Sequence, residues 1–531
     1  MNKLSKLSPL PYLSFLLLAC SQEAKNISDQ LQISAAPIQL KYSDTYQPPQ
    51  FESDKRIENI HKLAPEITSI FNTHAEEQHF PGYVYGIVVD DSLVLSGSYG
   101  VINLDNQVKV NEQSYFKIAS MTKSFTAMGI MKLKEEGKLD LNAPAQQYLP
   151  ELSTIEYPTR DAAPITIFNL LTMTSGFPED NPWGDRQLED TNEEFLSFLS
   201  NGISMSNVPN EAFEYSNLGY AMLGNIISRV SGKPYQEYIR ENIFLPLGME
   251  DTYWEYEGLP DDQLAIGYRW EDEQWKPEPM LHDGAFGAMG GLITSLSDFS
   301  KYVSFHLSAW PPSNPLDNGP VKRSSLRQMQ QMYHPHLFTD ARDGQGNDCP
   351  VMIGYGFGLG IRKDCHGDIR VSHSGGLPGY GSEYRFYPEY GVGIISFANR
   401  TYSPAGSANA RVMNLLIQKA ELPHLLLPAS EILSTRKDQV AELIQSWDEG
   451  LGEQILAENF YLDQSRSHRM AAAEENFQQI GNVQNIGELK AINQLRGTFV
   501  LEGDKGNAEV FFSLSPEKNP KVQAINIRLL D

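Results

Sequence analysis

Apolar residues recur every three or four positions over residues 57–74, a spacing that predicts an amphipathic helix. The spacing then changes, and the runs Tyr83–Val89 and Leu93–Tyr99 are rich in β-branched and aromatic residues. The acidic pair at positions 90 and 91 separates these runs, which predicts a β-hairpin. Helical spacing returns after Ser120 and stops at Gly137, so a further helix is expected there.

The middle of the chain is predicted to be helical, and its later part is predicted to form strands. This order indicates an α/β (α+β) fold, in which both ends of the domain complete a mainly antiparallel sheet and a helical subdomain is inserted. We assign this domain to residues 55–425. Its remaining predicted elements are helices at Thr166–Thr172 and Asn217–Val230, an exposed acidic loop at 179–190, an irregular stretch at 254–290, strands at 370–374, 382–387 and 391–397, and a helix at Ala410–Lys419.

Residues 430–531 are predicted to form a separate, small α+β domain. A helical segment over residues 440–460 precedes four strand-like runs at 486–495, 497–502, 508–514 and 522–530. The segment weakly resembles the cystatin and NTF2-like modules. It shows no catalytic constellation, and we expect it to pack against or dock to another surface.

The composition limits the classes of partner. The chain has 531 residues, 41% of them hydrophobic, so it can bury a large core, and its formal charge is −25. Nucleic acids and anionic lipid surfaces are bound through basic patches, so the acidic balance argues against both.

The first twenty residues are predicted to be a targeting segment. Lys3 and Lys6 give a positive start, and the apolar run over residues 12–19 is too short to span a bilayer. The run ends in LLAC at Cys20, which resembles a bacterial lipobox. The resemblance implies cleavage before Cys20 and its acylation, and Ser21 in the next position favours sorting to the outer membrane. The alternative is an ordinary signal peptide with an incidental cysteine.

Export would give an anchored protein on the periplasmic face of the cell envelope. Residues 21–54 are poor in periodic apolar positions and are predicted to be a flexible tether between the lipid and the fold. The compartment is oxidising, so Cys349 and Cys365 are expected to form a disulfide, with two free thiols as the alternative. A metal site is not expected there, because only His366 is near and there is no Cys-x-x-Cys.

The first candidate for chemistry is Ser120-Met121-Thr122-Lys123. Positions i and i+3 share a helix face, so the Ser120 hydroxyl and the Lys123 amine are expected to lie side by side. A lysine among apolar side chains loses hydration, which favours the neutral amine that can take the serine proton. Ser-x-x-Lys also occurs at Ser114, Ser434 and Ser515, so the spacing alone does not identify the site.

The second and third candidates are Tyr215-Ser216-Asn217 and the strand-like run that begins at His373. A phenol near a lysine ammonium can have a lowered pKa and exchange protons, and an asparagine amide can hold a substrate amide. In His373-Ser374-Gly375-Gly376, the glycines let a substrate lie against the backbone, where an N–H group can bind an oxyanion. A competing His-x-Gly at His282 ranks lower, and each candidate alone has an ordinary structural explanation.

In this order and at these spacings, the three candidates closely resemble the serine penicillin-recognising family. The branch is that of class C β-lactamases, D-Ala-D-Ala carboxypeptidases, D-aminopeptidases and β-lactamase-fold esterases. Residues 137–150 and Leu170–Gly176 also resemble the family, although Met173 stands where its members usually have histidine. The resemblance covers residues 55–425 and not the tether or the last hundred residues.

By position, the resemblance implies that Ser120 is the acylated nucleophile and that Lys123 and Tyr215 share the acid–base work. It implies that Asn217 holds the substrate amide and that the N–H groups of Ser120 and Gly376 form the oxyanion hole. His373, with Ser374 and Gly375, would bind substrate where many members have lysine. The reaction would pass through an acyl-enzyme that water hydrolyses, without a metal or organic cofactor.

The resemblance leaves several functions open. His-x-Gly favours a peptidase on D-amino-acid or cell-wall peptides or, as an alternative, an esterase, and it ranks a true β-lactamase lower. The substrate would be a small peptide or an ester. From another class, the chain could be a peptide-binding or sensor lipoprotein that does not turn over, although the intact Ser120, Lys123 and Tyr215 argue against this.

Overall fold

The computed structural model describes residues 40–342 and 346–530, and its largest element is an antiparallel sheet of eight strands. The sheet has the order β2-β1-β12-β11-β10-β9-β8-β7, so the first hairpin pairs with the last strand of the domain. This order confirms the fold class predicted from the sequence. The strands up to residue 398 are β1 (Gly82–Val89), β2 (Ser92–Gly100), β3 (Phe116–Lys117), β4 (Tyr268–Glu271), β5 (Gln274–Pro277), β6 (Ile293–Thr294), β7 (His334–Thr339), β8 (Val351–Tyr355), β9 (Gly360–Lys363), β10 (Ile369–Leu377), β11 (Tyr380–Tyr387) and β12 (Val392–Ala398).

Helices cover both faces of the sheet and fill the segment between β2 and β7. Short 3-10 helices span Ala119–Met121, Ala145–Gln147, Pro150–Thr154 and Leu245–Leu247, and a π-helical turn spans Arg240–Phe244. The α-helices up to residue 419 are α1 (Arg56–Lys62), α2 (Ala64–Glu77), α3 (Thr122–Glu135), α4 (Ile167–Thr172), α5 (Asn181–Gly184), α6 (Asn192–Ser200), α7 (Asn217–Ser231), α8 (Tyr235–Ile239), α9 (Gly287–Gly290), α10 (Leu296–Leu307), α11 (Arg323–Met329) and α12 (Gly406–Lys419).

Strand β1 is buried along its whole length because both faces of the sheet are covered. Side chains alternate between the faces of a strand. Val84 and Val88 therefore enter the core that contains α3 and α10, whereas Tyr85 and Ile87 enter the core beneath α2 and α12. The larger core, with α3 at its centre, is the one that positions the candidate site.

Several predicted elements differ from the observed ones in ways that local signals explain. The helix predicted over residues 57–74 is divided into two helices. Leu63 is the C-cap of α1, and Pro65 lies in the first turn of α2, where proline favours a helix start. Strands β8 and β9 precede the predicted strand at 370–374, and the chain turns between them at Gly358, in the left-handed region at φ 68°. The irregular stretch at 254–290 contains the β4–β5 hairpin.

Residues 430–530 form a second sheet with a hydrophobic core of its own. The strand predicted over 486–495 is interrupted at Gly487, and the long helix Arg466–Ile480 was not predicted. Both sheets belong to one compact unit, Gln47–Asp531, so the proposed domain boundary stays a prediction. The elements are α13 (Glu431–Ser446), α14 (Glu449–Ile455), α15 (Asn459–Asp463), α16 (Arg466–Ile480), β13 (Val483–Ile486), β14 (Lys490–Asn493), β15 (Arg496–Gly503), β16 (Asn507–Leu514) and β17 (Val522–Leu530).

The predicted export signal lies outside the described residues, as do Cys20 and most of the tether. Within the described ranges, no helix combines the length and the apolar character that crossing a bilayer requires.

Candidate active site

Ser120 lies in the 3-10 turn that leads into α3, and its side chain is only 6% exposed. The preceding residue, Ala119, has φ 50°, a left-handed conformation that is uncommon for a residue with a Cβ. Hydrogen bonds hold this turn: Thr122 Oγ1 donates to the Ala119 carbonyl at 2.7 Å, and Ser382 Oγ donates to the Ile118 carbonyl at 2.7 Å. A constrained turn of this kind fixes the direction of the Ser120 side chain.

The Lys123 amine is the centre of the site. Its side chain is fully buried, and its Nζ lies 2.9 Å from Ser120 Oγ, 2.6 Å from Asn217 Oδ1 and 2.9 Å from the Met289 carbonyl. A charged ammonium has three protons, and these three acceptors use them all. The i, i+3 spacing on the helix therefore brings the serine and the lysine into direct contact, as the sequence indicates.

Burial lowers the pKa of Lys123 to about 7, while the negative charges of Asp185 and Asp180 partly offset this effect. Removing an ammonium from water penalises its charged form more than these carboxylates compensate. A large fraction of Lys123 is consequently neutral near pH 7 and can accept a proton from the Ser120 hydroxyl that it contacts.

Tyr215 faces the same amine, but its pKa moves in the opposite direction from the one expected. Lys123 Nζ lies 4.9 Å from the centroid of the Tyr215 ring. Burial raises the pKa of the phenol well above its usual value, and Asp185 and Asp180 raise it further, whereas an interaction with the Ser120 side chain lowers it. The expectation of a lowered pKa was wrong because desolvation and the nearby acids outweigh the serine. Tyr215 is a neutral proton donor here.

Asn217 is fully buried at the start of α7, and protein groups occupy its amide. Its Oδ1 accepts from Lys123, and its Nδ2 donates to the Asn181 carbonyl at 3.4 Å and to Asn181 Oδ1 at 3.3 Å. A substrate amide would have to replace these long contacts with Asn181. Gly184 lies directly against Asn217. A Cβ on Gly184 would be only 2.7 Å from Asn217 Cβ.

Two carboxylates next to this asparagine were missed by the sequence analysis, which predicted an exposed loop at 179–190. Asp180 accepts from the backbone N–H groups of Asn217 at 2.6 Å and Leu218 at 2.8 Å, and so caps α7. Asp185 is 1% exposed and accepts from the Tyr402 hydroxyl at 3.0 Å. Burial raises the pKa of Asp185, and the positive charge of Lys123 partly offsets this increase. The segment has no apolar period, so no pattern revealed its burial.

Met173, which replaces the family's usual histidine, supports the Tyr215–Asn217 turn. Its side chain is buried, and its sulfur accepts the backbone N–H of Ser216 at 3.1 Å. Met173 therefore contributes both packing and a weak polar contact at this position.

His373 is a neutral imidazole in this structure. Its Nδ1 donates to the Ser374 carbonyl at 2.6 Å, because a carbonyl can only accept, and its Nε2 therefore accepts from the Tyr355 hydroxyl at 3.0 Å. Burial lowers the pKa of His373 to about 3, and the charge of Lys123 lowers it further. A substrate carboxylate would gain no ion pair from this side chain near neutral pH.

Gly375 and Gly376 bring the β10 backbone close to the Ser120 turn. A Cβ on Gly375 would lie 2.2 Å from the Ile118 carbonyl oxygen, and one on Gly376 would lie 2.8 Å from Tyr402 Cδ1. Strand β9 pairs with β10 only from Ile369 to Ser372, so residues 373–377 are paired on one side by β11 alone. This leaves a strand edge beside Ser120 on which an extended ligand could pair.

The two remaining cysteines are joined in a disulfide, with 5.2 Å between the Cα atoms of Cys349 and Cys365. Among the described residues, these two cysteines and His366 form a cluster of potential metal ligands, whose ligand atoms lie within 4.8 Å of one another. Because both sulfurs are bonded to each other, neither is a thiolate that could bind a metal.

This sheet and its buried Ser–Lys pair belong to a known class. Residues 67–418 match the family described as Beta-lactamase, so the chain belongs to the beta-lactamase family of penicillin-binding-protein homologues.

Individual relatives agree with this assignment. The chain is 31% identical over 340 residues to Protein flp of Staphylococcus aureus (strain MW2), covering 63% of this chain and 62% of that protein. It is 27% identical over 354 residues to Penicillin-binding protein 4* of Bacillus subtilis (strain 168), covering 63% and 71%. The chain therefore spans about 62% of the length of the first of these relatives.

Two solved structures share the fold. The octameric penicillin-binding protein homologue from Pyrococcus abyssi has a TM-score of 0.57 and 23% identity, with 87% of this chain and 93% of that chain covered. A penicillin-binding protein from Bacillus halodurans has a TM-score of 0.53 and 24% identity, with 66% and 99% covered. At these identities the likeness concerns the fold.

Proposed function

We propose that this protein is a serine hydrolase that acts on amide or ester bonds through an acyl-enzyme on Ser120. The observation that carries the proposal is the 2.9 Å contact between Lys123 Nζ and Ser120 Oγ, made by a fully buried lysine whose pKa burial has lowered. A hydroxyl beside a partly neutral amine is an activated nucleophile.

In the proposed reaction, neutral Lys123 takes the Ser120 proton while Ser120 Oγ bonds to the substrate carbonyl carbon. The backbone N–H groups of Ser120 and Gly376 would stabilise the oxyanion that forms. The leaving nitrogen or oxygen departs with a proton from Lys123 or Tyr215, which leaves the acyl group on Ser120. Water then attacks the ester, gives up its proton to the same groups and restores the Ser120 hydroxyl.

The substrate that we favour is a peptide with D-amino acids, such as a cell-wall peptide. Support comes from the strand edge at residues 373–377, where an extended peptide could pair, and from the relative named Penicillin-binding protein 4*. An esterase is the second candidate, because neutral His373 provides no charge for the free carboxylate that a carboxypeptidase substrate carries. A β-lactamase ranks lower for the same reason.

The proposed location is the periplasmic face of the envelope, held by a lipid on Cys20. The support is the lipobox-like sequence alone. Acylation is expected to make the protein partition into the detergent phase of Triton X-114, and Cys20→Ser should move it to the aqueous phase. Aqueous partition of the unmutated protein would contradict the anchor.

The activity is tested by intact-protein mass spectrometry after treatment with a fluorophosphonate and, separately, with a penicillin. A single fluorophosphonate adduct is expected, and it should be lost in Ser120→Ala but retained in the controls Ser434→Ala and Ser515→Ala. Lys123→Ala should slow labelling by roughly 10²–10⁴-fold, because it removes the base. An unchanged rate in Lys123→Ala would contradict the assigned base.

The penicillin adduct separates the substrate classes. A persistent adduct would favour a D-Ala-D-Ala peptidase, and its absence would favour an esterase or aminopeptidase. No adduct with either reagent would contradict the hydrolase and favour a binding protein.

A further inference from the structure

Three arginines lie on one face of the large sheet, away from Ser120. Arg362 on β9 is directly opposite Arg370 on β10, and Arg385 on β11 is opposite Ser372, two positions further along the same face. The face is the one that α12 covers, because Arg385 Nη2 donates to the Gly406 carbonyl at 2.9 Å.

Two of these arginines form no ion pair with any of the described residues. Arg385 pairs with Glu383, whose Oε1 lies 2.7 Å from Arg385 Nη2, whereas Arg362 and Arg370 form no ion pair within the described part of the chain. Like charges that are directly opposite on neighbouring strands destabilise a sheet. The Nε of Arg370 is also buried without a hydrogen-bond partner, which is costly for a charged donor.

The electrostatics agree with this geometry. Burial lowers the pKa of Arg370, and the charges of Arg385 and Arg362 lower it further, whereas interactions with Tyr387 and Glu383 partly offset this decrease. A basic pair that forms no ion pair within the described residues is unexpected in a chain whose formal charge is −25. The arrangement is explained if the missing counter-charge comes from a ligand.

The arginines line a cavity of about 710 Å³ that also contains Tyr387 and Asn414. Two carboxylates that also line the cavity have partners of their own. Asp364 Oδ1 accepts the backbone N–H groups of His366 and Asp368, both at 3.0 Å. Asp368 Oδ2 accepts from the Tyr390 hydroxyl at 2.7 Å, and its Oδ1 lies 3.8 Å from His424 Nδ1.

We propose that this cavity is a binding site for a phosphate group, held between Arg362 and Arg370. Guanidinium groups bind phosphate oxygens in a planar, two-point manner, and two neighbouring cations favour a dianion over a singly charged carboxylate. The phosphate could be free, as inorganic phosphate or a phosphomonoester, or it could belong to a lipid headgroup. The site is independent of Ser120 and of the proposed hydrolase activity.

The test is isothermal titration calorimetry of the full-length protein with inorganic phosphate. We expect a Kd below about 1 mM. Arg370→Gln and Arg362→Gln should each weaken binding at least about tenfold, and Arg370→Lys should weaken it because the ammonium is a point charge. The matched control is Arg269→Gln, an arginine on β4 that has carboxylate partners and lies outside the cavity, which should bind as the wild type does.

Stability provides a second readout that separates a binding role from a structural one. In phosphate-free buffer, Arg370→Gln is expected to have a Tm no lower than that of the wild type, because it removes a like-charge repulsion. Added phosphate should raise the Tm of the wild type but not that of the variant.

Vesicles distinguish the two sources of the phosphate. Binding to phosphatidylglycerol vesicles but not to phosphatidylcholine vesicles, lost in Arg370→Gln, would assign the phosphate to a lipid headgroup. The proposal is overturned if neither phosphate at about 10 mM nor phosphatidylglycerol binds, or if the two glutamine variants bind as tightly as the wild type.

Discussion

At the scale of single residues, the chemistry depends on the balance of charge around Lys123. Burial favours the neutral amine, and the carboxylates of Asp185 and Asp180 favour the charged one. The result is a pKa of about 7, and a general base is most effective when its pKa lies near the pH of the reaction. In the proposed reaction Asp185 would therefore help to set the pH at which Ser120 is activated, although it contacts neither Ser120 nor Lys123 by a hydrogen bond.

We expect Asp185→Asn to shift the pH dependence of Ser120 labelling. Ionised Asp185 raises the pKa of Lys123, so its removal lowers that pKa, and the neutral amine persists to lower pH. The acidic limb of the rate–pH profile should thus move to lower pH. The measurement is the fluorophosphonate labelling rate between about pH 5 and pH 9.

The exposed Asp91→Asn is the matched control and should keep the wild-type profile. A shift of the Asp185→Asn limb to higher pH would show that Asp185 does not stabilise the Lys123 ammonium.

At the scale of elements, the site is assembled where β10 meets the 3-10 turn before α3. The turn that carries Ser120 has a positive φ at Ala119. Strand β10 approaches this turn so closely that there is no room for a Cβ at Gly375. The hydrogen bond from Ser382 Oγ to the Ile118 carbonyl ties β11 to the same turn. The serine is therefore positioned by backbone contacts as well as by its own helix.

Gly375→Ala is expected to separate β10 from the turn, because a Cβ there would lie 2.2 Å from the Ile118 carbonyl oxygen. Overpacking of this kind costs about 1–3 kcal/mol, so both the Tm and the labelling rate should fall. Urea unfolding and fluorophosphonate labelling measure the two effects.

Gly290→Ala is a suitable control, since its Cβ would lie 3.6 Å from the nearest atom, the carbonyl carbon of Ala119. The free energy of unfolding of this variant should lie within about 0.5 kcal/mol of that of the wild type. Equal behaviour of the two variants would contradict the close approach.

At the scale of the whole molecule, residues 430–530 have a hydrophobic core separate from those of the large sheet. The large sheet separates two cores, and residues 430–530 enclose a third. Among the described residues, the hydrogen bonds and ion pairs of residues 430–530 stay within that segment, as the bond from Ser430 to the Gln494 carbonyl illustrates. The polar groups on each side of the proposed boundary near residue 430 therefore find hydrogen-bond and ion-pair partners on their own side.

A chain that ends after residue 428 is consequently expected to fold and to retain Ser120 labelling within about twofold, because no residue of the candidate site lies beyond it. The measurement compares its labelling rate and Tm with those of the full-length protein. Aggregation or loss of labelling would show that residues 430–531 support the site, and the proposed domain boundary would then be wrong.

Local spacing was enough to predict much of the fold. The runs on either side of Asp90 and Asp91, rich in β-branched and aromatic residues, predicted the β1–β2 hairpin, and the last strands were also placed correctly. Such residues favour strands, and turn residues mark where the strands end. Failures occurred where the period is short or absent. The four residues of α5 carry no periodic signal, and so the burial of Asp185 was not foreseen.

What the sequence determined by itself is the contact between Ser120 and Lys123, because an i, i+3 spacing on a helix fixes it locally. Only the tertiary structure decided the state of each group. Asn217 reaches Lys123 across 94 positions of the chain, and the backbone carbonyl of Ser374 together with Tyr355 sets the tautomer of His373. A pKa depends on burial and on charges brought from distant segments, and no local pattern contains that information.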